Sequence, residues 1–518
     1  MLRKTLRLTS LLLLVMLVAC GKKADHTAKA KDDAPAGPQV APLAAPDLGV
    51  EAIKRMNFVY EAGASAYEKA LAAYKAKTRD WAAVRTHAQE ALQKDPSHLD
   101  AHYLLARALA QTGEHAAAVD HLVTALAADY WLYGPALAKE KELTEFLATQ
   151  HGQAVSALAK TLETDYKQRT DRGIWLVGRR STYKWPKDLG AQYSTTRGEL
   201  YAFDRETKRY FRLTHTDHKV AGFVRAPSGG EVAAFGFDKI DRPKTPADAP
   251  GTFVTAWVLL LDTATWQPLG PKVKVPAARE VALGYGPGDQ LLIGTAQPTG
   301  RWTTAEPAVL AVDKTTGKTT KVATALPVPR IVLTLDEGRS VRAADGVTAT
   351  WTGEPPTAPT LTTAAGATIE VPESHLTRQS TIALAPTSGR IAFATAVDPC
   401  AKDVAPSLYV AEPKGTLKHL LTAKSRFVTR WLDANVLAYE DGDGAIRLWD
   451  ATTGREAGKL ENKPGIALDV LSLAPAPLCK QAPPVVEPAG AGSGDEPLPL
   501  PPEEEPAEGS NAPVTTPR

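Results

Sequence analysis

Leu200-Tyr201-Ala202-Phe203-Asp204, followed after two residues by Thr207-Lys208, sets a pattern that returns four more times along the chain. Val258-Leu259-Leu260-Leu261-Asp262 precedes Thr265, and Val309-Leu310-Ala311-Val312-Asp313 precedes Thr316-Gly317-Lys318. Ile446-Arg447-Leu448-Trp449-Asp450 precedes Thr453-Gly454-Arg455, and Leu408-Tyr409-Val410 before Lys414-Gly415 is a shorter copy. A β-rich run ending in Asp and entering Thr-Gly-Lys predicts a hairpin. The carboxylate can accept from backbone N–H groups of the turn, and glycine takes its left-handed position. A second element keeps phase with the first: Pro227-Ser228-Gly229-Gly230 precedes Val232-Ala233-Ala234-Phe235, Pro287-Gly288 precedes Leu291-Leu292-Ile293, and Pro386-Thr387-Ser388-Gly389 precedes Ile391-Ala392-Phe393. Gly229, Gly288 and Gly338 follow Asp204, Asp262 and Asp313 by 25, 26 and 25 residues. Short strands repeating as a unit predict an all-β region from 173 to 480. A two-sheet sandwich also has many short strands, but it gives no reason for an in-phase repeat.

The unit resembles a blade of β-propellers of the TolB or WD-repeat kind, whose strand pair reads Leu-Tyr-x-x-Asp followed by Ser-Pro-x-Gly-x-x-Ile-Ala-Phe. By that resemblance the region holds about six or seven blades, the first and last being the least regular.

Upstream, between 51 and 168, the apolar positions recur at helical spacing, and the chain matches itself when slid by 34 residues. Leu71-Ala72 falls on Leu105-Ala106, Asp80 on Glu114, and Ala91-Leu92 on Ala125-Leu126. These positions resemble the tetratricopeptide repeat, with Gly113-Glu114 at its turn, Ala118, Leu122 and Ala125 on its second helix, and Asp95-Pro96 closing the repeat before. Tyr67 and Lys75 depart from the motif, and the third copy leaves it from Asp129-Tyr130. Small residues such as Ala88, Ala91, Ala106 and Ala118 let helices approach closely, while Leu and Tyr supply buried area. By position in the repeat, His102, Tyr103 and Arg107 are candidate partner-binding residues of a groove. The fold expected is therefore multidomain α plus β: a helical repeat domain, then a propeller.

Both ends read as processing or linking sequence. Arg3, Lys4 and Arg7 precede the apolar run Leu11–Leu17, too short for a bilayer-spanning helix, and Leu17-Val18-Ala19-Cys20-Gly21 follows. That arrangement resembles the signal peptide and lipobox of bacterial lipoproteins, which implies removal of residues 1–19 and lipidation, palmitate included, of Cys20. Gly21 stands where the family's inner-membrane retention signal has Asp, so the implied address is the outer membrane, facing the periplasm or the exterior. From 20 to 50 the chain is a Lys/Asp/Ala/Pro tether, and 481–518 is a Pro/Glu-rich tail with Pro501-Pro502-Glu503-Glu504-Glu505; both compositions predict disorder. Cys400 and Cys479 are the cysteines left in an exported chain and form a possible disulfide.

The net charge of +2, from 60 basic and 58 acidic residues, gives no field to recruit nucleic acid. His98 and His102 are spaced i, i+4 without a third ligand, and Asp441-Gly442-Asp443-Gly444 lacks the ligand series of a calcium loop, so neither is read as a metal site. His215-Thr216-Asp217-His218 is read as a polar loop. No Gly-x-Ser-x-Gly elbow lies in the folded region, and no His-Glu-x-x-His helix or phosphate-binding glycine loop occurs. The expectation is a membrane-anchored, protein-binding scaffold without a cofactor, its partners being envelope proteins. The alternative is a propeller that binds a small ligand such as a glycan, with Trp185, Trp302 and Trp351 as platforms; a hydrolase is the weaker reading.

Overall fold

The computed structural model describes residues 40–47, 58, 60–178, 181–184, 194–241, 252–297, 305–327 and, with gaps, 330–467. Cys20, Cys400, Cys479, Trp185, Trp302, Trp351, the Asp441–Gly444 turn and the tail from 481 lie outside the described residues, as does most of the tether. The chain divides into two compact units at Thr164/Asp165.

The first unit is helical: α1 (Ala64–Lys75), α2 (Trp81–Lys94), α3 (Leu99–Gln111), α4 (His115–Ala128), α5 (Tyr130–Leu137) and α6 (Thr144–Ala148), followed by α7 (Gln150–Arg172), whose last turns belong to the second unit. Neighbours in sequence from α1 to α4 pack on one another. Their contacts are built on alanine: Ala66, Ala91 and Ala101 are buried together, with Tyr67 and Leu92 against them. Local chemistry sets the helix ends. Asp80 accepts from the Ala83 N–H at 3.0 Å and caps α2. Gly113 sits at φ +81° after α3, and the Glu114 N–H reaches back to the Leu109 carbonyl at 2.9 Å, satisfying a carbonyl that the helix end leaves open. Where the sequence leaves the repeat, the helices shorten: α5 contains Pro135, and a three-residue 3₁₀ turn, Lys141–Leu143, leads into the five-residue α6. No helix among the described residues is long and apolar enough to cross a membrane.

The second unit is a succession of antiparallel sheets. The first contains Ile174–Gly178, Leu200–Asp204 and Arg209–Arg212, with Ile466–Ala467 from the far end of the β region paired to Ile174–Gly178 through Val177↔Ala467 and Gly178↔Ile466. The second sheet runs Val220–Arg225, Glu231–Ile240, Phe253–Asp262, Val273–Val275. Two later sheets repeat this four-strand meander: one starts at Ile382–Leu384 and ends at Leu417–Thr422, the other starts at Val428–Trp431 and ends at Arg455–Leu460. Apolar residues from adjacent sheets meet between them, as in the cluster of Leu408, Val410, Trp431, Leu437 and Trp449.

Between these lies the departure from the in-phase expectation. Glu280–Gly286 pairs on one side with Gln290–Ala296 and on the other with Arg330–Asp336, so that the meander ending at Thr319–Val322 joins two further strands in one six-stranded sheet. Thr348–Thr350, Thr360–Thr362 and Thr368–Glu370 then form a sheet of three. In this stretch the run Ile331–Asp336 ends in Asp but enters Glu337-Gly338-Arg339 rather than Thr-Gly-Lys, and its strand completes its backbone bonding on the neighbouring meander.

The hairpins follow the predicted chemistry closely. The Asp313 carboxylate accepts from the N–H groups of Thr315 and Thr316 at 2.9 and 3.2 Å, and Asp450 from those of Thr452 and Thr453 at 2.7 and 3.4 Å. Asp204 and Asp262 accept from the N–H two residues on and the Thr hydroxyl three residues on. The residue four beyond each Asp is left-handed: Gly317 at φ +68° and Gly454 at +67°, but also Lys208 and Trp266, both at +53°. The turn thus forms without glycine in two of these hairpins. Trp266 has a visible reason: its ring is fully buried, edge-on to Trp175 with centroids 5.0 Å apart.

Candidate functional site

In the helical unit, the residues singled out on α3 take three separate places. Tyr103 is buried against Tyr133, with ring centroids 4.9 Å apart, and burial pushes its phenol up. Arg107, also buried, lies under the 3₁₀ turn rather than on an open groove. Its Nη2 donates to the Tyr74 hydroxyl and pairs with Glu140 Oε2 at 2.8 Å and Glu142 Oε2 at 3.2 Å. Arg79, from the loop between α1 and α2, pairs with the other oxygen of Glu142, which also accepts from the Tyr74 hydroxyl at 3.2 Å. The Tyr74 ring is stacked by both guanidiniums, at 4.3 Å from Arg107 and 4.6 Å from Arg79. Gln111 adds a bond to the Glu142 carbonyl. Burial opposes the charge on Glu142, yet its backbone hydrogen bond and the two arginines outweigh that and hold its carboxyl at about 2. Burial raises Glu140, and the adjoining Glu142 raises it further against the pull of Arg107.

His102 faces α4. Its Nε2 lies 2.9 Å from the Pro96 carbonyl, which can only accept, so the proton sits on Nε2 and Nδ1 carries the lone pair. His121 Nδ1, 2.8 Å from that lone pair, is then the donor. Nitrogens facing each other at 2.8 Å hold one hydrogen between them and leave no room for a metal ion bound by both. His98 plays a different part, since its Nδ1 accepts from the Ala101 N–H at 3.3 Å and caps α3, with the ring stacked on Tyr60. The i, i+4 histidines are therefore held on different partners.

In the β unit, a carboxylate that the sequence did not single out organises the polar loop. Glu199 is fully buried and accepts from the Thr214 hydroxyl (2.5 Å), the Thr216 N–H (2.7 Å) and hydroxyl (2.9 Å), the His218 N–H (2.9 Å) and Arg212 Nη2 (3.2 Å). Burial works against its charge, and Arg212, Thr214 and the His218 N–H overcome it, so its carboxyl stays below the usual range. These bonds pin the loop with Asp217 and His218 both left-handed, at φ +60° and +56°. Asp217 projects into solvent beside Lys219, which pairs with Asp238 at 3.1 Å. The signal in sequence was an acidic residue, Glu199, placed one position before an apolar strand, where hydropathy alone reads it as the end of a turn.

At the other end of the same strand, Asp204 serves its hairpin and two arginines of α7, Arg169 at 3.2 Å and Arg172 at 3.0 Å. Tyr166 packs edge-on to Phe211, and its hydroxyl accepts from Arg209 at 2.9 Å.

No protein-family model matches the chain, and no curated protein does. Among solved structures it is similar to TolB from Acinetobacter baumannii, at 10% identity and TM-score 0.32 over 60% of this chain and 71% of that one. It is also similar to a putative TolB from Agrobacterium tumefaciens, at 12% identity and TM-score 0.25 over 48% and 82%. The tricorn protease matches at 11% identity and TM-score 0.33, over 56% of this chain and 26% of that protein. Likenesses this distant carry no argument about activity or partners.

Proposed function

We propose that this chain is a lipid-anchored protein of the bacterial envelope that binds other proteins, with its β region closed into a propeller and its helical unit acting as a second binding module. The carrying observation is the repeated hairpin. Four turns share an aspartate that accepts from the N–H two residues on, at Asp204, Asp262, Asp313 and Asp450, while the turn residues that follow differ: Arg-Glu-Thr-Lys, Thr-Ala-Thr-Trp with the Trp266 ring turned inward, Lys-Thr-Thr-Gly and Ala-Thr-Thr-Gly. A constant frame with variable tips is how repeat architectures make recognition surfaces. The pairing of Ile466–Ala467 with Ile174–Gly178 supports a ring, since it brings the two ends of the β region into one sheet. The basic, apolar and lipobox segments in order support the anchor, and Gly21 supports the outer membrane.

The test is a pull-down from detergent-solubilised membranes with three forms: intact chain, Cys20→Ala, and a form lacking residues 51–164. On this reading the intact chain incorporates labelled palmitate and retains a specific envelope protein, while Cys20→Ala loses the label and the membrane fraction. Loss of the partner in the deletion assigns recognition to the helices, and retention assigns it to the β unit. An intact chain that retains nothing above background ends the protein-binding reading.

A further inference from the structure

The cluster around Glu142 holds more binding capacity than an internal salt bridge needs. Two guanidiniums and a phenol converge on one carboxylate from three places: Tyr74 on α1, Arg79 on the following loop and Arg107 on α3. The residues they hold belong to the least regular part of the unit, between Pro135-containing α5 and the five-residue α6. Leu143 and Phe146 are fully buried and fix the far end of this segment, whereas the Glu140 side chain remains a quarter exposed and that of Arg79 more so. Two carboxylates share this small space, and burial together with Glu142 opposes the charge on Glu140, whose side chain is also the more exposed of the two, so Glu140 is the weak member.

We propose that Tyr74, Arg79 and Arg107 form a recognition site for an acidic, extended peptide of a partner protein, and that Glu140 and Glu142 fill it in the free chain as a built-in stand-in. The proposal rests on the protein-binding reading above and names the chemistry of one partner. Charge complementarity selects the ligand: a planar guanidinium pairs with carboxylate through two parallel donors, and the stacked Tyr74 ring holds both forks in place. Glu140 and Glu142 lie two residues apart, so a peptide with carboxylates at i and i+2 offers the same pair. Displacement requires the turn to swing about its Leu143 anchor and to release the bond from Gln111 to the Glu142 carbonyl. The chain itself contains a sequence of this type, Pro501-Pro502-Glu503-Glu504-Glu505-Pro506-Ala507-Glu508, which supplies the probe.

A fluorescent peptide of residues 501–508 is titrated into the full-length protein, beside a control peptide with every Glu replaced by Gln. Glu140→Gln, which weakens the stand-in at its exposed member, is expected to bind the acidic peptide about tenfold tighter than the parent chain, a difference of about 1.4 kcal/mol. Arg79→Gln, at a solvent-exposed position, is expected to lose that gain, as is Arg107→Met; circular dichroism checks that each variant is folded. The control peptide is expected not to bind. Equal affinity in all variants, binding of the Gln peptide, or no binding to a folded Glu140→Gln chain overturns the proposal. If the peptide fails while the pull-down still recovers a partner, this inference falls alone; if both fail, the reading beneath it falls too.

Discussion

In the helical unit a buried cation, Arg107, is surrounded by carboxylates, Glu140 and Glu142; in the β unit a buried carboxylate, Glu199, is surrounded by donors that are mostly neutral. The two arrangements draw on different parts of the chain. Arg107 Nη2 is paired with residues more than thirty positions away, Tyr74 before it and Glu140 and Glu142 after it, so its cluster depends on the fold being complete. Glu199 is satisfied chiefly by one contiguous loop, Thr214–His218, whose backbone it fixes in a left-handed pair. Fixed dipoles in a dry site are insensitive to salt and mild acid, whereas partly exposed ion pairs respond to both. A robust β rim and a conditional helical cluster are therefore expected.

The largest effect is expected from Glu199→Ala. Removal takes the shared acceptor from Arg212, two hydroxyls and two N–H groups at once, and breaking a buried pair from one side costs about 3–5 kcal/mol. Urea unfolding followed by tryptophan fluorescence measures it; a loss below about 1 kcal/mol would show that water replaces the carboxylate and that the two regions do not differ. Next comes Arg107→Met. Because Glu140 is partly exposed and can rehydrate, the expected loss is smaller, about 2–3 kcal/mol. The double variant Arg107→Met/Glu142→Gln should recover part of it, since the second change removes the stranded charge; strict additivity would mean that the pair is not coupled.

Acid separates the regions further, and it acts in the same direction on two groups. Burial and the neighbouring His102 depress His121 from 6.5 to about 4, so the folded chain resists a proton that the unfolded chain accepts. The stability this represents is whole above pH 6.5 and is lost as pH falls toward 4. Glu142 is depressed from 4.5 to about 2, so its contribution is present above pH 4.5 and is lost as pH falls toward 2. Both groups belong to the helical unit. Its far-UV circular dichroism signal is expected to melt earlier at pH 5 than the tryptophan signal, to which the region beyond residue 165 contributes eight of the ten tryptophans, and His121→Gln should flatten the step between neutral pH and pH 4. Coincident melting of both signals at every pH would erase the distinction.

What could be read from sequence follows the range of the interactions. The aspartate hairpins, the Gly113 turn and the shorter helices that follow Asp129 rest on neighbours in the chain, so pattern was enough. The union of Glu280–Gly286 with Arg330–Asp336 was not visible, because a strand's pairing partner is chosen by what else is left unpaired. The site residues show the same limit. Position in a helical repeat put Tyr103 and Arg107 on a groove, but Tyr133, which packs on Tyr103, and the turn Lys141–Leu143, which covers Arg107, lie beyond the quoted repeat positions and have no period of their own. Glu199 stayed hidden because a single carboxylate before a strand has the same sequence signature whether it is solvated or buried.

The smallest effect tests how much of the β repeat is backbone and how much is side chain. Lys208 and Trp266 occupy the left-handed position that Gly317 and Gly454 take in sister hairpins. A residue with a Cβ is strained there, and glycine is not. Trp266 is held by its buried ring against Trp175, so its strain is offset by packing. Lys208 is exposed and has no such compensation from burial. Lys208→Gly is therefore expected to stabilise the β unit by about 0.5–1 kcal/mol, net of glycine's greater freedom in the unfolded chain, and to raise the urea midpoint with an unchanged slope. Destabilisation instead would mean that the lysine side chain holds the turn, and that the four hairpins share a geometry without sharing its cause.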